Sequence, residues 1–131
     1  MIRPLLSVLI LLTQLFHPVD FQGDIVDSLS ALFKTGNSKE ISKNFSPSVE
    51  LTIMEEEDVY TKAQAEQILR EFFTKNQPVS SMVVHLINTN PNYRFGILSL
   101  STKNGKYRVA ITLKKTTNTF FITELRIEPD K

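Results

Sequence analysis

Hydrophobic and polar positions follow a helical period in some segments of the chain and a strand period in others. After Asp24, apolar side chains recur at every third or fourth residue. They are Ile25, Leu29, Leu32 and Phe33. This spacing marks one face of a helix, and Asp24 and Gly36 suit its first and last positions. The pattern therefore predicts an amphipathic helix between these two residues.

A second, shorter helix and a strand are predicted after it. Ser38 is a suitable cap for the segment KEISKNF, which would turn Ile41 and Phe45 inward, and Pro47 ends helical structure. Hydrophobic positions then alternate with polar ones, as in a half-buried strand. They are Val49, Leu51 and Ile53. The acidic run EEED, residues 55–58, is interpreted as a solvated turn, because a calcium loop needs spaced oxygen ligands and a turn glycine.

The segment VYTKAQAEQILREFFTKNQP carries the clearest helical pattern. Thr61 and Gln64 have the spacing of a capping box, in which each side chain serves a backbone amide at the start of the helix. The apolar stripe consists of Ala65, Ile68, Leu69, Phe72 and Phe73. Asn76 and Pro78 stop the helix. This helix is predicted to be the main packing partner of a sheet.

The last fifty or so residues alternate as strands separated by turn signals. The segments are SMVVHLINT, RFGILSLST, KYRVAITLKK and TFFITELRIEP. Asn104-Gly105 is the strongest hairpin signal, since both residues tolerate positive φ. Sequential hairpins give a four-stranded antiparallel meander. We therefore expect an α+β fold, with a curved antiparallel sheet and a long helix and one or two N-terminal helices on its concave face.

The N-terminus has the layout of a secretory signal. Arg3 precedes an apolar run, Leu5–Leu12, which Leu15 and Phe16 extend. The run is shorter than the roughly 20 residues that span a bilayer. We expect cleavage between residues 17 and 24, an exported periplasmic or secreted protein, and two parts: a signal peptide over residues 1–22 and one domain over residues 23–131. The alternatives are an uncut leader, the one expected route to a membrane, and a buried first helix.

Composition excludes several classes of function. The formal charge is +1, and removal of a leader that contains Arg3 brings it to about zero. A nucleic-acid-binding protein needs clustered Lys and Arg in excess, so nucleic acid is not expected as a partner. The absence of cysteine excludes disulfides, thiolate metal sites and a cysteine nucleophile. No metal and no cofactor are predicted.

Four stretches resemble one bacterial family. They are SVELTI, VYTKAQAEQILREFF, NGKYRVAITLKK and ITELRIEP, and the resemblance runs from about Asp24 to Pro129. The family is that of domain of unknown function 4783, within the nuclear-transport-factor-2-like, cystatin-like superfamily. The resemblance implies an exported bacterial protein with a conical half-barrel and no established activity. It supplies no catalytic residues.

His85 is the one histidine outside the leader region, because His17 lies in the leader or directly after it. In cone folds of this kind catalysis commonly pairs an acid with a His or Tyr in the cavity. A role for His85 in proton transfer requires a carboxylate or phenol within hydrogen-bond reach. Glu50, Glu124 and Tyr60 are the conceivable partners. The alternative is a structural histidine that is bonded to a neighbour.

The last strand is predicted to carry Glu124, Arg126 and Glu128 on one face, together with Phe120 and Ile122. The preceding strand offers the opposite charge. Its polar positions are Lys106, Arg108, Thr112 and Lys114. One interpretation is a solvated ladder of opposite charges, in which Glu124 and Glu128 partly neutralise the basic side chains. The other places Arg108 and Arg126 at a cavity mouth, where they hold an anionic ligand.

These observations favour a non-catalytic module that binds a small molecule or a protein. Its candidate ligand-binding residues are Tyr60, His85, Arg108 and Arg126, whereas Tyr93 and Tyr107 are interpreted, as Tyr60 also can be, as residues at the edge of the core. The alternative is a small cone-fold enzyme of the isomerase, dehydratase or hydrolase type that uses His85 with a carboxylate. A homodimer through the sheet is a further hypothesis, which an exposed Phe120 or Ile122 would support.

Overall fold

Three helices and six strands make up residues 24–131, the part of the chain that the computed structural model describes. In chain order they are α1 (Ile25–Lys34), α2 (Ser38–Ser42), β1 (Phe45–Ile53), β2 (Glu56–Thr61), α3 (Lys62–Lys75), β3 (Pro78–Ile87), β4 (Tyr93–Thr102), β5 (Gly105–Thr116) and β6 (Thr119–Pro129). The predicted signal peptide and His17 lie outside the described residues. None of the helices within residues 24–131 has the length and apolar character needed to cross a membrane.

Side-chain caps fix where the two longer helices begin. The Asp24 carboxylate accepts the amide of Val26, and Asp27 reaches back to the amide of Asp24. At the start of α3, the Thr61 hydroxyl accepts the amide of Gln64 at 3.2 Å. The Gln64 side chain accepts the amide of Thr61 at 3.0 Å. The capping box predicted for α3 is confirmed, and such a cap typically contributes about 1 kcal/mol.

The six strands form one curved, unclosed sheet in the order β2-β1-β6-β5-β4-β3. The predicted antiparallel meander from β3 to β6 is confirmed, as is the α+β class. The sheet is mixed, however, because β1 pairs with β6 in parallel. The expectation of an antiparallel sheet was wrong at this pair. The edge of β6 that β5 leaves free pairs with β1, a strand from the start of the chain.

The acidic run is a strand rather than a turn. Glu56, Glu57 and Asp58 lie in β2, at the exposed edge of the sheet. Met54 and Glu55 alone make the turn, with Met54 at φ 62°. An edge strand has one side open to water, so it tolerates a run of charges. Phe45 also differs from its prediction, because it opens β1 while its side chain remains fully buried.

A bulge in β6 changes which side chains share a face. Thr112 of β5 pairs with Glu124, but the next residue, Leu113, pairs with Ile122, so Thr123 is extra. An extra residue reverses the alternation of side chains on its two sides. Ile122 is therefore fully buried in the core. The prediction that Phe120 and Ile122 share a face with Glu124, Arg126 and Glu128 was wrong.

The core lies between the helices and the inner face of the sheet. On α3 the predicted stripe is buried at Ala65, Leu69, Phe72 and Phe73, and Ile68 is half-buried. Aromatic rings continue from α1 across α3 to β5. Edge-to-face pairs join Phe33 to Phe73 (5.7 Å between ring centroids), Phe73 to Phe72 (5.8 Å) and Phe72 to Tyr107 (5.1 Å). The helices are thus held on one face, which leaves the opposite, outer face of the sheet uncovered by them.

Candidate functional site

A groove of about 310 Å³ opens between α3 and the β1–β2 turn. Its apolar part is formed by Ile53, Met54, Ile68 and Phe72. Its polar rim is formed by Glu56, Glu71, Lys75 and Asn76. Apolar walls with a few polar groups are typical of small-molecule sites, and the volume lies at the lower end of their range. We call this feature the α3 groove.

A hydrogen-bonded asparagine fixes one end of the α3 groove. The Asn76 amide nitrogen donates to the carbonyl of Phe72 at 3.1 Å. Its Oδ1 accepts the hydroxyl of buried Tyr107 at 2.9 Å, and the Asn104 side chain at 3.4 Å. Tyr107 also packs edge-on against Phe72. These contacts stop α3, as the sequence predicted for Asn76, and they hold the groove floor in one arrangement.

The β1–β2 turn forms the opposite wall. Met54 adopts φ 62°, a left-handed conformation that is uncommon for a residue other than glycine. Its amide donates to the carbonyl of Ile127 at 2.9 Å, so the turn is tied to β6. The Met54 side chain is 40% exposed beside the groove. Methionine is a flexible, polarisable side chain that adapts to ligands of irregular shape.

Charges of both signs stand at the rim, from Glu56 on β2 and from two residues of α3. Glu71 and Lys75 are one helical turn apart on α3, and both are exposed. Neither makes an ion pair within the described part of the chain. Unpaired charges above an apolar floor can orient a molecule that has an apolar body and a charged end.

His85 lies away from the α3 groove. It is exposed on β3, the edge strand at the far end of the sheet from β2, and it pairs with Ile97 of β4. No carboxylate among residues 24–131 forms an ion pair with it. The conceivable partners Glu50, Glu124 and Tyr60 belong to β1, β6 and β2. The chain therefore does not bring the proposed acid–histidine pair together.

Tyr60 and Arg108 occupy different places. Tyr60 is half-buried on the inner face, where it packs against the core, as an edge residue would. Arg108 is exposed on the outer face and lines an open trough of about 870 Å³. The trough is otherwise lined by Met54, Glu55, Glu56, Glu128, Pro129, Asp130 and Lys131. We call it the acidic trough, since its acids outnumber its bases.

Arg126 belongs to a charged cluster on the outer face of the sheet. Its guanidinium donates to Glu128 at 3.0 Å and lies 3.9 Å from Glu57. The hydrogen bond to Glu128 raises the pKa of Arg126, so the side chain stays charged. The pKa of Glu50 is raised by a side-chain hydrogen bond with Glu57, by the charge of Glu124 and by desolvation. We call these residues, Glu50, Glu57, Glu124, Arg126 and Glu128, the outer cluster.

The charge ladder predicted between β5 and β6 forms elsewhere. Arg108 lies opposite Glu128, and Thr112 lies opposite Glu124. Yet the ion pairs of this face join Arg126 to Glu128 and Glu57, within β6 and across to β2. Arg108 and Arg126 share the outer face, but both lie among acids, which disfavour an anionic ligand there. Within residues 24–131 no cluster of His, Cys, Asp and Glu is arranged to hold a metal ion.

The groove residues were not predicted as a site. Ile68 and Phe72 were identified only as part of the α3 stripe, and Met54 carried no signal, because its left-handed turn is visible only in three dimensions. Asn76 was identified only as a helix stop. The one local signal was the Glu71–Lys75 spacing above the stripe.

Comparisons with known proteins agree on the family. The family model described as Domain of unknown function (DUF4783) matches residues 26–128. A DUF4783 family protein from Bacteroides ovatus is 33% identical, with a TM-score of 0.74 over 79% of this chain and 93% of its own. One from Bacteroides uniformis is 29% identical, with a TM-score of 0.78 over 82% and 99%. No curated protein matches.

A more distant structure supports the fold alone. A Nostoc punctiforme domain of unknown function with a cystatin-like fold has a TM-score of 0.63 at 9% identity, over 78% of this chain and 70% of its own. The resemblance to the domain of unknown function 4783 family and the cystatin-like fold are thereby confirmed.

Proposed function

Because the chain belongs to the DUF4783 family, which has no assigned activity, we propose a function from its own geometry: an exported, non-catalytic module that binds a small molecule in the α3 groove. The N-terminal signal pattern supports export. The groove, rather than the predicted set of Tyr60, His85, Arg108 and Arg126, supports ligand binding, since those four residues lie on four different strands.

One observation carries the proposal: the α3 groove combines an apolar floor with charges of both signs at its rim. Ile53, Ile68 and Phe72 offer apolar contact, while Glu71 and Lys75 stand at the rim. Such a site favours a small molecule with an apolar body and an ionised end. The alternative of an enzyme based on His85 finds no support in this geometry, because His85 is exposed and lies apart from the groove.

Native mass spectrometry of the protein purified gently from its own host tests the proposal. We expect a retained small molecule in the intact protein and its loss on introducing a charge at Ile68. A retained molecule whose occupancy is indifferent to Ile68→Lys would place the ligand elsewhere and overturn the proposal. Detection of the processed N-terminus in the periplasmic or secreted fraction tests export.

A second proposal concerns self-association through the outer face of the sheet. Met82 and Ile87 of β3 are 65% and 41% exposed. They lie opposite Ser99 and Phe95 of β4, beside Ile97. Exposed apolar side chains on one face suit a two-fold contact, in which the same surface meets itself. Phe120 and Ile122 do not take this part, since Ile122 is buried and Phe120 lies under the Arg94 guanidinium.

A further inference from the structure

The outer cluster and the acidic trough together form one acidic surface at the β2 end of the sheet. In β1, the alternating residues Val49 and Leu51 are buried in the core. Glu50 and Thr52 therefore project to the opposite, outer face. Thr52 lies between Glu57 of β2 and Arg126 of β6. Residues directly opposite in paired strands project to the same face. Four carboxyl groups thus converge around one guanidinium, that of Arg126.

The cluster holds more negative charge than Arg126 can neutralise. Glu50 lies beside Glu124 across the parallel pair of strands, and Glu57 lies on the neighbouring strand β2, opposite Thr52. Arg126 is already engaged by Glu128 at 3.0 Å. Like charges directly opposite each other destabilise a sheet. A second cation at this position would relieve the repulsion.

A buried hydroxyl at the centre of the cluster lacks a partner. Thr52 is 4% exposed, and its Oγ1 makes no hydrogen bond within residues 24–131. Buried polar atoms are nearly always hydrogen-bonded, so an orphan calls for an explanation. Thr52 Oγ1 can accept one N–H bond from a cation that enters between Glu57 and Arg126. The unpaired hydroxyl is an observation independent of the carboxylates, and it indicates the same position for a cation.

The acidic trough extends the surface beyond one side chain. It shares Glu128 with the outer cluster and adds Glu55, Glu56 and Asp130. Its volume of about 870 Å³ exceeds what a single ammonium group occupies. A segment with several cationic side chains can therefore place one in the cluster and others along the trough.

We propose that this acidic surface docks a Lys- or Arg-rich segment of a partner protein, with one cationic side chain seated above Thr52 among Glu50, Glu57 and Glu124. Charge complementarity decides the chemistry of the partner. The outer cluster shares no residue with the α3 groove, and the acidic trough shares only Met54 and Glu56 with it, so the proposal does not rest on the groove binding a small molecule.

Binding of an oligolysine peptide, followed by isothermal titration calorimetry at low salt, tests the proposal. The same peptide with acetylated lysines is the neutral control. We expect the double variant Glu50→Gln/Glu124→Gln to bind oligolysine at least about tenfold more weakly, because it loses charge-assisted hydrogen bonds to the lysines. Glu40→Gln on α2 removes one surface charge elsewhere and should leave the affinity nearly unchanged.

Two further measurements keep the test decisive if the double variant folds poorly. Arg126→Gln removes the internal cation, so oligolysine should bind more tightly to this variant. In the wild-type protein, oligolysine should bind more tightly as pH rises through the raised pKa of Glu50. The added cation favours the ionised form of this carboxyl, which Glu57, Glu124 and Arg126 also face.

Other outcomes overturn the proposal. If Glu40→Gln weakened oligolysine binding equally, the effect would come from the overall charge of the protein. Equal binding of the acetylated peptide would exclude a cation. Calcium that binds the wild type and displaces oligolysine would identify a metal site instead. Weaker binding to Arg126→Gln would show that the guanidinium supports docking rather than occupying its place.

Discussion

Glu50 and Glu124 lie directly side by side on β1 and β6, the one parallel pair of strands in the described sheet. Two carboxylates in this position repel each other. The hydrogen bond that Glu57 shares with Glu50, together with the charge of Glu124, raises the pKa of Glu50, whereas Arg126 lowers it. The fold thus keeps an unfavourable pair at the junction where its N-terminal hairpin joins the meander.

Stability should therefore fall as pH rises above the ordinary pKa of this carboxyl. The native state holds the Glu50 proton more tightly than the unfolded chain does, whose value is near 4.5. The resulting stabilisation is complete below that value and is lost as pH rises through the raised pKa. Glu50→Gln should remove this loss and raise the urea midpoint at neutral pH relative to wild type.

A pH series of urea denaturation curves measures the effect. Glu40→Gln is the control, because Glu40 pairs with Lys43 on the exposed surface of α2 and lies outside the outer cluster. If Glu50→Gln loses stability at neutral pH, or keeps the full pH dependence of the wild type, the description of Glu50 is wrong.

A charge at Ile68 should close the α3 groove to an apolar anion. Anilinonaphthalene sulfonate has an apolar ring system and one negative charge, which match the floor and Lys75. Ile68→Glu removes an apolar contact from the floor and places there a carboxylate that repels the sulfonate, so it should weaken the binding of this probe about tenfold, equivalent to about 1.4 kcal/mol. Fluorescence titration measures it.

Gln67→Glu provides the matched control, since it adds the same charge at the neighbouring, exposed position of α3. The control should bind the probe like the wild type. If both variants lose the same affinity, or neither does, the probe binds outside the groove.

Removal of the Tyr107 hydroxyl should cost stability. That hydroxyl donates to Asn76 Oδ1 at 2.9 Å from a buried ring. Tyr107→Phe leaves Asn76 with one acceptor bond less, and the expected loss is about 1 kcal/mol in the free energy of unfolding. Tyr93→Phe is the control, because the Tyr93 hydroxyl makes no hydrogen bond to any residue from 24 to 131. Equal losses in the two variants would contradict the role of the Asn76 contact.

The contact of α1 with β4 allows no side chain at Gly96. A Cβ at this position would lie 2.5 Å from Cγ1 of Val26, which is fully buried. Gly96→Ala should therefore destabilise the protein by about 1–3 kcal/mol through overpacking. In the double variant with Val26→Ala the loss should be smaller than the sum of the two single losses. Additive losses, measured by chemical denaturation, would show that the two positions do not compete for space.

Local signals in the sequence predicted much of this fold. Thr61 and Gln64 define the start of α3 within a few residues, and Asn104-Gly105 defines a hairpin, because caps and turns depend on neighbours in the chain. The parallel pairing of β1 with β6 depends on residues far apart in the chain, such as Glu50 and Glu124, and alternation carries no information on strand direction. The bulge at Thr123 also escaped prediction, since it reverses alternation inside a continuous strand.

The α3 groove lay beyond sequence reasoning for a related reason. Its walls are Met54 in a turn and Ile68 on a helix, which become neighbours only when β2 folds back along β1. The acids of β2 concealed that strand, because a charged run usually indicates a solvated turn. Alternation placed Arg108 and Arg126 on polar faces of their strands and predicted Glu124 and Glu128 beside them, but it gave no sign of Glu57, which reaches Arg126 from β2.

A charge in the β3 patch should abolish self-association. Met82 is 65% exposed on the edge strand, in a patch that includes Ile87 and Ile97. If two copies meet through this patch, Met82→Glu places two carboxylates in the dimer interface and should shift the protein to monomer in sedimentation-velocity experiments. Val59→Glu adds the same charge on β2, the opposite edge, at a side chain that is 62% exposed. The Val59 variant should remain dimeric, because its edge lies far from the patch. The proposed interface is wrong if the wild-type protein is monomeric at all concentrations tested, or if both variants disrupt the dimer equally.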